Sequence, residues 1–139
     1  MHIAIGADQA GFELKQQIVD YLTDADHEVL DLGIHELEST DYPDIAEDVA
    51  RSVASGDSER GIIICGTGIG VSLAANKIPG IRAALCTDCY MARMAREHND
   101  AQIICLGGRV IGSGLAEDIV HTFLSSTFKG GRHTRRVEK

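Results

Sequence analysis

The run Gly61-Ile62-Ile63-Ile64-Cys65, followed at once by Gly66-Thr67-Gly68-Ile69-Gly70, sets the tightest limit on how this chain folds. An unbroken apolar stretch that short, with no alternation, reads as a strand covered on both faces. Helices packed on the two sides of a parallel sheet supply that cover, and the glycines mark a sharp turn into the next helix. The rest of the chain repeats the theme. His2–Gly6 is a first strand, and Phe12, Leu14, Ile18, Val19 and Leu22 recur at helical spacing. Glu28–Leu32 is a second strand, and Pro43 opens a helix with Asp41 or Tyr42 just outside it and Gly56 as its stop. Val71–Asn76, Tyr90–His98 and Leu115–Phe128 are further helices, and Ile81–Cys86 and Gln102–Leu106 further strands.

Five strands alternating with helices predict one α/β domain over residues 1–139. The expected form is a three-layer, Rossmann-like (flavodoxin-like) sandwich around a five-stranded parallel sheet. Ligands collect at the carboxyl ends of such strands. Asp8, Cys65, the loop after Leu32 and Gly107-Gly108-Arg109 are all predicted to lie there.

Composition narrows the function. The 139 residues carry a net charge of −8, which argues against nucleic acid as the main partner. No run approaches the roughly 20 apolar residues of a membrane span, and no signal peptide is visible, so the cytosol is the expected compartment. There the four cysteines are expected as thiols. Cys86-x-x-Cys89 has no second pair at metal-ligand spacing, so no metal site is expected. Residues 129–139 form a basic tail behind Gly130-Gly131, which by itself reads as a solvated end.

Cys65 opens a turn whose consecutive N–H groups point into one small space at a helix start, where an anion is favoured. A thiol there suits a base or nucleophile; the same glycines equally fit a plain structural turn around a buried thiol. No Lys-Ser/Thr pair follows, so the turn is not a Walker loop, and a dinucleotide fingerprint belongs after the first strand. His98 near a helix C-terminus, viewed alone, reads first as a favourable surface charge. His2, His27, His35 and His121 read as ordinary surface or loop positions.

Taken together, the motifs resemble the ribose-5-phosphate isomerase B family, which includes the galactose-6-phosphate isomerase subunits. The resemblance rests on Gly6-Ala7-Asp8-x-Ala10-Gly11-Phe12, Asp41-Tyr42-Pro43-Asp44, Ile64–Ser72 with Ala74–Lys77, and Gly80–Ala84. It continues through Arg96–Ala101, Gly107-x-Arg109-Val110 and Gly130-Gly131-Arg132-His133-x-x-Arg136-Val137, in the family's order over nearly the whole chain.

The resemblance implies an aldose–ketose isomerase of phosphorylated sugars without cofactor or metal, a homodimer or dimer of dimers with active sites shared between subunits. By the same resemblance Cys65 is the base. Thr67 and the amides of Gly66, Gly68, Ile69 and Gly70 steady the enediolate, and His98 opens the sugar ring. Asp8 and Asn99 handle sugar oxygens, and Arg109, Arg132 and Arg136 hold phosphate, so that the tail completes the site. One position departs from the pattern: Gln9 stands where the family usually has histidine, and it can hydrogen-bond but not carry charge. Ribose 5-phosphate is the expected substrate. A six-carbon phosphosugar, a non-catalytic sugar-phosphate-binding subunit and, from Cys86-x-x-Cys89, a thiol redox protein are the alternatives.

Overall fold

The computed structural model describes residues 1–139 as five parallel strands and six helices in alternation. In chain order these are β1 (His2–Ala7), α1 (Phe12–Asp24), β2 (Glu28–Asp31), α2 (Tyr42–Ala54), β3 (Arg60–Cys65) and α3 (Ile69–Ala75). They continue with β4 (Ala83–Leu85), α4 (Cys89–Glu97), β5 (Ile103–Gly107), α5 (Ser113–Ser125) and α6 (Arg132–Glu138). The three-layer α/β class expected from the sequence is the one observed. The strand order is β2-β1-β3-β5-β4, with β5 lying inside β4. This exchanges the last two strands relative to the flavodoxin order.

The central run behaves as its composition requires. Ile62, Ile63, Ile64 and Cys65 are all buried, with alternate residues on opposite faces. Ile62 and Ile64 join a core with Leu14, Ile18, Ala92, Ile119 and Phe123, under α1, α4 and α5. Ile63 and Cys65 join a second core with Ile45, Val49, Val71 and Ala75, under α2 and α3. Chain crossovers leave β1 and β3 in opposite directions, so the sheet's topological switch lies between them, with Asp8 and Cys65 at its mouth.

Two basic side chains on these helices lie in the interior. Lys15 on α1 is fully buried; its Nζ donates to Asp31 Oδ1 at 2.7 Å and to the Ile34 carbonyl at 2.6 Å. Arg96 on α4 is also buried and donates to Asp100 Oδ1 at 3.0 Å and to the Ala101 carbonyl at 2.7 Å. Each charge is paired and hydrogen-bonded, the condition under which such groups are tolerated inside a protein.

The tail is a further difference. Gly130 and Gly131 adopt positive φ (63° and 57°), and the chain then forms α6 instead of trailing into solvent. The free side of the edge strand β4 is covered by a side chain. Asn76 Nδ2 donates to the Ala83 carbonyl at 2.9 Å, and the Ala83 N–H donates to Asn76 Oδ1 at 2.8 Å.

Candidate active site

The carboxyl edge of the sheet is assembled from main chain pressed on main chain. The Gly108 N–H donates to the Cys65 carbonyl at 2.8 Å, and the Arg109 N–H to the Gly66 carbonyl at 3.0 Å. A Cβ on Gly11 would lie 2.5 Å from the Ile64 carbonyl oxygen, so only glycine lets the turn after β1 settle on β3. Gly68 is required twice over. Its φ is +83°, and a Cβ there would lie 2.6 Å from Leu85 Cδ1 and 3.1 Å from the Leu106 carbonyl oxygen.

That turn delivers an N–H to the thiol: Gly68 N donates to Cys65 Sγ at 3.2 Å, at the start of α3. Thr67 is exposed beside it and accepts from the Ile69 N–H at 3.1 Å, which leaves its own hydroxyl proton to donate elsewhere. Asp8, only 7% exposed, accepts from the Ala10 and Gly11 N–H groups through Oδ1 at 3.0 and 3.2 Å. Its Oδ2 remains for another donor. The Arg109 side chain runs over Gly66. Gln9 Oε1 accepts from the Thr40 N–H at 3.2 Å and so ties the β1–α1 turn to the loop after β2. Asp8, Gln9, Cys65, Thr67, Gly66–Gly70 and Arg109 therefore share one edge.

His98, Asn99, Arg132 and Arg136 lie at the opposite edge. Helix α4 runs back from the carboxyl end of β4, so its final residues reach the amino end of β5. Cys65 is level with Gly107 at one end of β5, whereas His98 precedes Ile103 at the other. At about 3.3 Å per residue the strand alone puts roughly 13 Å between the two ends. A cavity of about 500 Å³ at the amino edge is lined by Arg82, His98, Asn99, His133 and Arg136, among others. Arg132 precedes His133 on α6 but is not part of this wall. The direction of α4 carries the missing signal: a residue that ends a helix before a strand sits at the amino edge.

Sequence reasoning passed over the parts that hold this second group. Arg82 Nε donates to the Asn99 carbonyl at 3.0 Å, and its Nη2 donates to the Asp100 carbonyl at 3.0 Å. With Arg96 it grips a turn in which Asp100 has a φ of +48°. The His133 ring stacks on His98, centroids 4.1 Å apart and planes 13° from parallel. Burial first, and then the positive charges of His98, Arg132, Arg136 and Lys129, hold the His133 imidazole below the usual histidine range.

Burial, then Asp88, pushes the Cys86 thiol up to about 12. Burial also raises Cys105 well above an ordinary thiol, with Cys65 and Cys86 adding to the effect. Cys86 lies in the core and Cys89 begins α4, and neither is in a disulfide. Such a pair is poorly suited to thiol exchange, which needs an accessible thiolate. No group of three or more His, Cys, Asp or Glu side chains is arranged to hold a metal ion, and no helix is long and apolar enough to cross a membrane.

Comparison with known proteins finds sugar-phosphate isomerases of more than one name. A family model described as Ribose/Galactose Isomerase matches residues 3–139. The solved structure of Clostridium thermocellum ribose-5-phosphate isomerase B superposes with a TM-score of 0.98 at 58% identity, covering 99% of this chain and 93% of that one. Ribose-5-phosphate isomerase B of Escherichia coli is 48% identical over 98% of this chain and 91% of its own. D-erythrulose-4-phosphate isomerase of Pectobacterium atrosepticum is 46% identical over 100% of this chain and 92% of its own. With these likenesses in agreement along its length, the chain belongs to the ribose/galactose isomerase family of aldose–ketose isomerases.

Proposed function

We propose that this chain interconverts ribose 5-phosphate and ribulose 5-phosphate through a cis-enediolate, in a site shared by two copies in the cytosol. The observation that carries the reading is the Cys65 thiol, with the Gly68 N–H on its sulfur, at the topological switch of the sheet. As a thiolate, with the Gly68 N–H donating to its sulfur, Cys65 takes the proton from C2 of the open-chain aldehyde. Negative charge then develops on O1, where the N–H groups of the Gly66–Gly70 turn and the Thr67 hydroxyl stabilise it. Within the cis-enediolate the O2 proton passes to O1, and return of the proton to C1 then forms C2=O2 and gives the ketose. Asp8 Oδ2 and Asn99 hold sugar hydroxyls, and Gln9, next to Asp8 in the chain, contacts the substrate with them.

Ribose 5-phosphate is a closed furanose in water, so a ring-opening step comes first, and His98 is the proton carrier for it. In a single chain His98 is at the wrong edge. A second copy that brings its amino edge against this chain's carboxyl edge supplies His98, Asn99, Arg132 and Arg136. These arginines then join Arg109 around the phosphate, whose binding energy orients the reacting carbons. A site of this kind is unfinished in the monomer.

The names of the relatives support a phosphosugar substrate but span more than one sugar. The deciding experiment is side-by-side turnover of ribose 5-phosphate, allose 6-phosphate and galactose 6-phosphate, with Cys65→Ala as control. Ribose 5-phosphate is expected to be preferred, and the control to lose about 10³-fold or more in kcat while still binding substrate. A strong preference for a hexose phosphate overturns the substrate. Near-native turnover by the control overturns the cysteine base, and no turnover of any sugar by the parent chain favours a binding subunit.

A further inference from the structure

The His98–His133 stack is not explained by phosphate binding or by ring opening through a single histidine. His133 is 9% exposed on the first turn of α6, and its ring lies nearly parallel to His98 at 4.1 Å. The charged groups around the pair are mostly positive: Arg132 and Arg136 on α6, Lys129 before it, and Arg82 on the shared cavity wall. The carboxylates of the adjoining turn are already engaged, Glu97 by Lys129 and Arg93, and Asp100 by Arg82 and Arg96. Charge on His98 at that spacing opposes charge on His133 and adds to the burial that holds the His133 imidazole down.

Resting on the isomerase reading above, we propose that His133 is a positioning residue for ring opening. Its ring is a stacking platform that fixes the plane of His98, and His98 is the member of the pair that takes the proton during turnover. The step balances on one histidine. His98 takes the proton from the anomeric O1–H, the C1–O4 bond breaks with its electron pair leaving on O4, and C1=O1 forms. The imidazolium of His98 then protonates O4 and returns to its starting form. The surrounding arginines favour that last transfer, because they oppose a lasting charge on the pair. Held at one angle, the ring reaches O1 and O4 of the same sugar without searching.

Ring opening can be read apart from isomerisation in a Cys65→Ala background, where the carbon-bound proton is not removed. There the interconversion of the α and β anomers of ribose 5-phosphate, followed by exchange NMR at C1, reports opening and reclosure alone. The Cys65→Ala protein is expected to accelerate it, and Cys65→Ala with His98→Ala to lose the acceleration. Adding His133→Ala instead should lower the rate about tenfold with unchanged affinity for inorganic phosphate, and His133→Phe should restore most of the loss, because a flat ring suffices. Equal rates with and without His133→Ala overturn the proposal. So does a loss confined to phosphate affinity, or a loss in His133→Phe as deep as in His133→Ala. Should His133→Ala not fold, His133→Gln against His133→Phe makes the same comparison. No anomerase activity in the Cys65→Ala protein overturns the ring-opening role itself, whereas residual isomerisation by it counts against the cysteine base.

Discussion

The two edges of the sheet are built by opposite means. The carboxyl edge is main chain on main chain: Gly11 on Ile64, Gly108 on Cys65, Gly68 on Leu106, with N–H groups as its polar equipment. The amino edge is side chain on main chain: Arg82 and Arg96 grip the 98–101 turn, and two histidine rings stack above it. One edge suits a developing oxyanion that must be met without reorganisation. The other suits protons and phosphate, which need groups that change charge or carry it. On the two-copy reading proposed above, the isomerase needs both kinds of edge, one from each copy.

Changes at the two edges should separate in kind. The largest effect after the loss of Cys65 is expected from His98→Ala, about 100-fold in kcat on ribose 5-phosphate. D-erythrose 4-phosphate cannot close a furanose, because its O4 carries the phosphate, so the same variant should turn it over at close to the parent rate. Steady-state kinetics on both sugars check this, and equal losses would break the assignment of ring opening to the amino edge.

Gly68→Ala comes next, at the other edge. A left-handed alanine against Leu85 and Leu106 should cost about 3 kcal/mol of stability, seen as a lower urea midpoint, and should depress kcat for both sugars alike. A variant of parental stability would show that the turn is not held as tightly as its contacts indicate.

The smallest effect is the response to pH, and its sign differs between the edges. His133 has a depressed folded value, so its share of stability is present above the unfolded histidine value and is lost as pH falls below it. Cys86 has a raised folded value, so its share is present below about pH 9 and is lost as pH climbs from there toward about 12. Melting temperature against pH should therefore fall on both sides. His133→Phe should flatten the acid limb and Cys86→Ala the alkaline one.

The central strand, the alternation of elements and the carboxyl-edge residues were all legible, because apolar continuity and glycine spacing are local properties of the chain. What was not legible depended on contacts between distant residues. Lys15 reads as a surface lysine until Asp31 and Ile34, 16 and 19 residues away, close around it. The segment Arg132–Glu138 has little apolar periodicity. It forms a helix where the Lys129 N–H meets the Glu97 carbonyl and His133 meets His98. β4 is three residues long instead of the six in Ile81–Cys86, since Arg82 turns away to hold Asn99 and Asp100. Motif order brought His98 and Cys65 together as neighbours in chemistry. Chain direction places them at opposite ends of the sheet.

The amide of Asn76 on the outer side of β4 has a consequence for how copies of the chain meet. An unguarded edge invites another strand, and strand addition of this head-to-tail kind has no natural end, so it leads to fibres. With both main-chain groups of Ala83 taken by one side chain, a strand laid along the outside of β4 finds neither donor nor acceptor at that residue, and this side of the sheet is closed to it there.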